Sequence, residues 1–330
     1  GDYLEFLAHR RRRMPCALPS GHSSRRRFFQ NGSGTGETSR RPDEQKVMSR
    51  RRSWSAGAKL SARETTGWPR IKHRRLRLPL TTVSICAACW CPLRGGMEHS
   101  RKFLLAIHGY RSGPMREYYY MLPFYHSLGY HVLMPDDRAH GKSEGSYIGF
   151  GWLDRLDCIA WVHYIVDTYG QDCEIVMQGI SMGAATVMNA SGEALPPQVK
   201  GIIEDCGFST AKDVFAHEAK LRYKLPAWPL IPAASMVCGL IAGYRFAQDE
   251  PVRQIQKAKV PFLFIHGSRD DFVPTPMVHE VYDACPTHKT KLLVEGAAHA
   301  MAYLEDREGY EKAVRAFLER VTTPTELPVE

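Results

Sequence analysis

The chain has 330 residues, 44% of them hydrophobic, enough for one large core or two ordinary ones. Its net charge of +9 is unevenly spread: residues 1–95 hold 18 Arg and 3 Lys against 6 acids, whereas residues 96–330 hold 12 Arg and 11 Lys against 29 acids. Nine cysteines in this length exclude a disulfide scaffold, and the longest apolar run, LPLTTVSICAACW at 78–90, is too short to span a membrane as a helix.

Residues 1–95 show no sustained period of 2 or 3.6, and they contain RRRR (10–13), RRR (25–27), NGSGTG (31–36), RRR (50–52) and KHRRLR (72–77). Such a stretch reads as a disordered basic tail. Its high Arg:Lys ratio also fits a non-native N-terminus produced by a translation-frame or start-site error. A nucleic-acid arm is a further reading, but aromatic residues are sparsely interleaved and the remaining chain is acidic, which argues against nucleic acid as partner. Cys86, Cys89 and Cys91 cluster without a second CxxC or a His pair, so no zinc site is expected. The apolar 78–90 run lies too far from the N-terminus for a signal peptide, so the expected compartment is the cytoplasm.

From about residue 98 the pattern becomes regular. KFLLAIHG (102–109) reads as a buried strand, EYYYMLPFYHSLG (117–129) as a helix closed by Gly129, and HVLMPDD (131–137) as a second strand. WLDRLDCIAWVHYIVDTYG (152–170) is a helix ending at Gly170. EIVMQG (174–179) is a third strand, with a helix from Ser181 behind it, and VKGIIEDCG (199–207) is a fourth. Residues 208–255 break the rhythm with KLPAWPLIPAASMVCGLIAGYRF, read as a small helical cap over a pocket or as a peripheral helical pair. PFLFIHG (261–267) and KTKLLVEG (289–296) are the fifth and sixth strands. The helices at 275–285 and 305–321 complete the alternation, which implies a mostly parallel, doubly wound α/β sheet covered on both faces.

The chemistry lies where strands end. Gly179-Ile180-Ser181-Met182-Gly183 joins a strand to a helix, the context in which G-x-S-x-G presents an exposed serine on a strained turn. A serine needs a base, and the base needs a carboxylate. FIHGSRDDFVP (264–274) offers the acid, Asp270 or Asp271, and VEGAAHAMAY (294–303) offers His299. All three would lie on one sheet edge.

These stretches, with IHGY (107–110) and DDRAHGKSEG (136–145), resemble the α/β-hydrolase superfamily over about residues 98–321, and within it the serine hydrolases typed as esterase, lysophospholipase-like or serine-aminopeptidase-like. The resemblance implies an α/β-hydrolase fold with a small helical cap insertion at about 208–255. It implies Ser181 as nucleophile, His299 as base, Asp270 as orienting acid, and the backbone N–H groups of Tyr110 and Met182 as oxyanion donors. It implies a small-molecule ester or related acyl substrate, peptide or thioester being alternatives, cleaved through an acyl-enzyme, with no cofactor or metal. A non-catalytic binding module on the same fold is a rival reading. The family also begins with antiparallel strands, of which no convincing pair is visible in 1–95. His108 and His266 are expected to brace loops, and the AHGKS turn to shape the rim. Trp228, Tyr244 and Phe246 are expected near an apolar acyl pocket. Nothing in the pattern gives an oligomeric state.

Overall fold

The computed structural model describes residues 74–79 and 86–323. Eight strands form one sheet: β1 (Arg74–Leu78), β2 (Cys86–Cys91), β3 (Lys102–Ile107), β4 (Tyr130–Pro135), β5 (Glu174–Ile180), β6 (Val199–Asp205), β7 (Phe262–Gly267) and β8 (Lys289–Val294). Their spatial order is β1-β2-β4-β3-β5-β6-β7-β8. β1 pairs with β2, and β2 with β4, antiparallel; every other pairing is parallel. The inner parallel strands β3, β4, β5 and β7 are largely apolar and buried because both faces are covered by helices, whereas β8 at the edge, KTKLLV, is mostly half-buried.

One face packs against α3 (Asp154–Tyr169), α4 (Met182–Ser191) and α8 (Pro276–Ala284), through Trp161, Ile165, Val187 and Val281. The other packs against α1 (Pro114–Tyr118), α2 (Leu122–Ser127) and α10 (Arg307–Val321), through Tyr118, Leu122, Tyr310 and Phe317. Between β6 and β7 the chain forms α5 (Ala211–Tyr223), α6 (Ala227–Ile241) and the short α7 (Pro251–Gln254), and just before α10 lies α9 (Ala302–Glu305). Among the described residues no single helix is long and apolar enough to cross a membrane.

Two expectations are corrected. The sheet begins before residue 96: β1 and β2 supply the antiparallel pair that residues 1–95 did not reveal by pattern. CAACWC in β2 is buried on both faces, so it shows no alternation, and Trp90 stacks on Phe103 and Tyr169. Leu78 and residues 86–90 of that apolar run therefore lie in the sheet, and the three cysteines divide between its faces, Cys86 on one and Cys89 and Cys91 on the other. Residues 1–73 lie outside the described residues. The predicted helix 117–129 is broken into α1, a 3-10 turn (Tyr119–Met121) and α2. Pro123, in the first turn of α2, has no N–H to continue the ladder and its ring crowds the preceding turn.

Candidate active site

The turn after β5 is set by two close approaches. A Cβ on Gly179 would lie 2.0 Å from the Gly183 carbonyl oxygen, and one on Gly183 would lie 2.1 Å from the Ile107 oxygen. Only glycine fits either position. Between them Ser181 has φ 58° and ψ −116°, a conformation costly for a residue with a side chain. Its own N–H donates to the Asp205 carbonyl at 2.8 Å, and its carbonyl accepts from Ala185, which ties the strained turn to β6 and α4. The side chain is projected at the N-terminus of α4, with the residue 8% exposed.

The loops after β7 and β8 bring two further side chains to it. Ser181 Oγ lies 2.8 Å from His299 Nε2, and His299 Nδ1 lies 2.7 Å from Asp270 Oδ2. Of the two adjacent acids, Asp270 is the one with this contact; Asp271 is exposed, and its carbonyl faces His217 Nε2 at 2.9 Å. The second oxygen of Asp270 accepts from the N–H groups of Phe272 (3.0 Å) and Val273 (2.8 Å). The carboxylate is thus held from both ends. Phe272 stacks on the His299 ring with centroids 4.7 Å apart. Beyond it, Arg222 of α5 lies over the Phe272 ring at 5.1 Å.

Tyr110 and Met182 lie beside the serine, on the loop after β3 and at the first turn of α4. Among the described residues neither backbone N–H has a hydrogen-bond partner within the chain. The loop carrying Tyr110 is braced by two histidines in defined tautomers. His108 Nε2 accepts from the Asp137 N–H, so its Nδ1–H donates to the Gly109 carbonyl. His140 Nε2 accepts from the Arg111 N–H, so its Nδ1–H donates to the Arg138 carbonyl. Burial pushes both imidazoles down, His108 to about 3, so they stay neutral. His266 Nε2 lies 3.0 Å from the Val273 carbonyl and braces the acid loop in the same way. Ser143 bonds the Asp136 carbonyl and the Ala87 N–H, so its role is to pin β2.

The pattern did not single out four neighbours of this constellation. Glu117 Oε2 accepts the Gly109 N–H at 2.8 Å; burial raises its carboxyl, opposed by Ser112, Gly109 and His299. Asp205 accepts from Tyr310 Oη, which accepts from Gln178, whose Oε1 is bonded by Tyr125. Burial pushes the Asp205 carboxyl up to about 7. Cys206 lies with Asp270 and His299 so that one potential ligand atom of each falls within 4.8 Å of the others. Burial raises that thiol well above its ordinary range. Phe272 is the fourth. Each owes its place to contacts that the fold makes, and none carried a local signal.

The β6–β7 insertion packs next to the serine. Met182 and Ala185 share a cluster with Phe208, Val214, Ile231 and Phe246. A chain of ring contacts links Tyr110 to Phe150 (5.7 Å), Phe150 to Phe215 (4.3 Å) and Phe215 to Phe246 (4.6 Å). Tyr244 and Phe246 are buried there, but Trp228 is not: it is 76% exposed.

No family model matches the chain. It is 31% identical over 223 residues to the uncharacterized protein YqkD of Bacillus subtilis, covering 68% of this chain and 73% of that protein. It is 28% identical over 202 residues to lysophosphatidylserine lipase ABHD12 of Danio rerio, covering 58% of this chain and 50% of that protein. Among solved structures, the esterase Pf2001 of Pyrococcus furiosus matches with a TM-score of 0.63 at 25% identity, covering 78% of this chain and 96% of that one.

Proposed function

The chain belongs to the α/β-hydrolase superfamily, and from that premise we propose that it is a serine hydrolase that cleaves a small ester through an acyl-enzyme. The observation that carries the reading is the continuous hydrogen-bonded line Ser181 Oγ, His299 Nε2 and Nδ1, Asp270 Oδ2, at 2.8 and 2.7 Å, on the strained turn.

In the reaction, Ser181 Oγ attacks the carbonyl carbon while His299 Nε2 takes its proton. Asp270 keeps the other ring proton on Nδ1 and stabilises the imidazolium. The carbonyl oxygen becomes an oxyanion and accepts from the N–H groups of Met182 and Tyr110, each worth roughly 10²–10³ in rate. The C–O bond breaks, and the alcohol leaves with the proton from His299. Water then attacks the acyl-enzyme with His299 as base, which returns the acid and free Ser181. No cofactor takes part. His108 and His140, held neutral and fully engaged, keep the Tyr110 loop in place without entering the proton transfers.

The acyl group is expected to be apolar. The helical insertion acts as a cap, because its aromatic cluster reaches Met182 and Tyr110. The esterase Pf2001 supports ester cleavage as the reaction class. The test is turnover of p-nitrophenyl esters of increasing acyl length with Ser181→Ala alongside. The account expects turnover by the wild type, a loss of ~10⁴ or more in the variant, and a preference for medium or long over acetyl chains. Activity that survives in the variant contradicts the assignment of Ser181. A folded wild type inactive on all these esters contradicts ester cleavage and directs attention to peptide and thioester bonds.

A further inference from the structure

Helix α6 is apolar on both sides. Residues 225–244 hold no charged residue at all. Ile231, Ala234, Cys238 and Ala242 recur at helical spacing and pack into the cluster beside Met182. The opposite side carries Leu230, Met236, Val237, Leu240 and Ile241, all exposed, with Leu240 at 82%. Trp228 stands at the N-terminal end of this face, and Tyr223 and Leu225 extend it onto the preceding turn. A contiguous outward face of this kind exceeds the scattered apolar residues of an ordinary surface.

Charge around the face decides its occupant. Exposed Lys220 and Lys224 flank one end and exposed Arg245 the other, and no acid occurs between Ala219 and Gln248. An open cleft of about 530 Å³ between α5 and α6 is lined by Lys220, Lys224, His217, Leu225 and Pro226. A second copy of this chain on the face, related by a two-fold axis, would bring cationic rims together without an acid from this segment to meet them. Anionic headgroups around an apolar interior match both features. Past the non-helical Trp228 the helix runs from Pro229 to Ile241, about 20 Å long, short of the ~30 Å hydrocarbon thickness, and its inner side is packed. It therefore lies along an interface rather than across one, with Trp228 at headgroup level.

We propose that the outer face of α6, from Trp228 to Ile241, docks this protein onto an anionic lipid bilayer surface. The inner side of the same helix reaches Met182, so the docked protein takes its ester from the bilayer; this second half rests on the hydrolase reading above. The test uses the full chain and flotation with vesicles of phosphatidylcholine alone or with about 30% phosphatidylglycerol at about 0.15 M NaCl, and the variants are compared again in about 0.5 M NaCl, which screens binding by charge alone. The variants are Met236→Glu/Leu240→Glu, at exposed positions one turn apart, and separately Trp228→Ser. Turnover of soluble p-nitrophenyl butyrate and circular dichroism report that each remains folded and active.

The expected result is flotation of the wild type that is stronger with phosphatidylglycerol, and a loss of tenfold or more in the double variant with soluble turnover kept. Trp228→Ser loses a smaller part. If the double variant floats as the wild type does, binding runs through another surface, such as the basic residues 1–73, and the proposal is wrong. A wild type that does not float, or a dimer that the double variant dissociates without altering flotation, overturns it equally. Flotation without soluble turnover in the wild type leaves the docking surface standing and removes the hydrolase reading.

Discussion

Gly183 shows how much a missing side chain determines. Its Cα lies so close to the Ile107 carbonyl that a methyl would overlap it at 2.1 Å, and neither backbone can retreat without moving β3 away from α4. Gly183→Ala is therefore expected to destabilise the fold by roughly 3 kcal/mol or more, a size reserved for backbone collisions and core defects. Thermal unfolding by circular dichroism checks this, and a variant with an unchanged midpoint would contradict the turn geometry. At the same scale, the G-x-S-x-G turn and the positions of Asp270 and His299 were legible, because each sits in a short local pattern at a strand end. Asp270 was preferred to Asp271 through the family resemblance alone, since the residues themselves do not say which carboxylate the 270–273 loop folds inward. That loop is set by the N–H groups of Phe272 and Val273. Glu117 and Asp205 were equally hidden, because burial against distant segments gives them their character.

Among the elements, the six strands β3 to β8 and the helices α3, α4, α8 and α10 follow apolar patterning and were readable. β1 and β2 were not. β1 alternates Arg75 and Arg77, exposed, with Leu76 and Leu78, packed on the core, so it resembled the basic runs around it. Those arginines are what an edge strand needs to resist pairing with another chain. A chain that starts at residue 96 would lose both strands, the Trp90 stack and the antiparallel cover on β4. It is expected to be less soluble and to melt at a lower temperature than the full chain. Equal solubility and melting would show that β1 and β2 contribute nothing to the sheet. The insertion was legible as a break in rhythm with apolar content. Its orientation was not, since Trp228 belongs to the outward side while Tyr244 and Phe246 belong to the inward one.

At the scale of the whole molecule, buried acids govern the response to pH. Burial raises the carboxyls of Asp137, Asp154, Glu204, Asp205 and Asp249, Asp205 to about 7. These groups hold protons in the folded chain that the unfolded chain releases near its ordinary carboxyl range. The folded state therefore binds more protons from about pH 4 to pH 7, and stability falls as pH rises through that window. The urea midpoint is expected to be lower at about pH 8 than at about pH 5.5, and Asp205→Asn, which keeps an acceptor for Tyr310, is expected to narrow the gap. A midpoint that rises with pH would contradict the burial of these acids as charged-form penalties. The same interior brings Ser181, His299 and Asp270 together on one edge, after strands β5, β8 and β7, with the exposed apolar side of α6 turned away from the cluster beside Met182. The most direct measurement of the central claim is labelling with a fluorophosphonate followed by peptide mass mapping. The account predicts one adduct, on Ser181 Oγ with loss of fluoride, formed by the wild type and greatly slowed in His299→Ala. An adduct on another residue such as Ser209, or none on a folded chain, would contradict it.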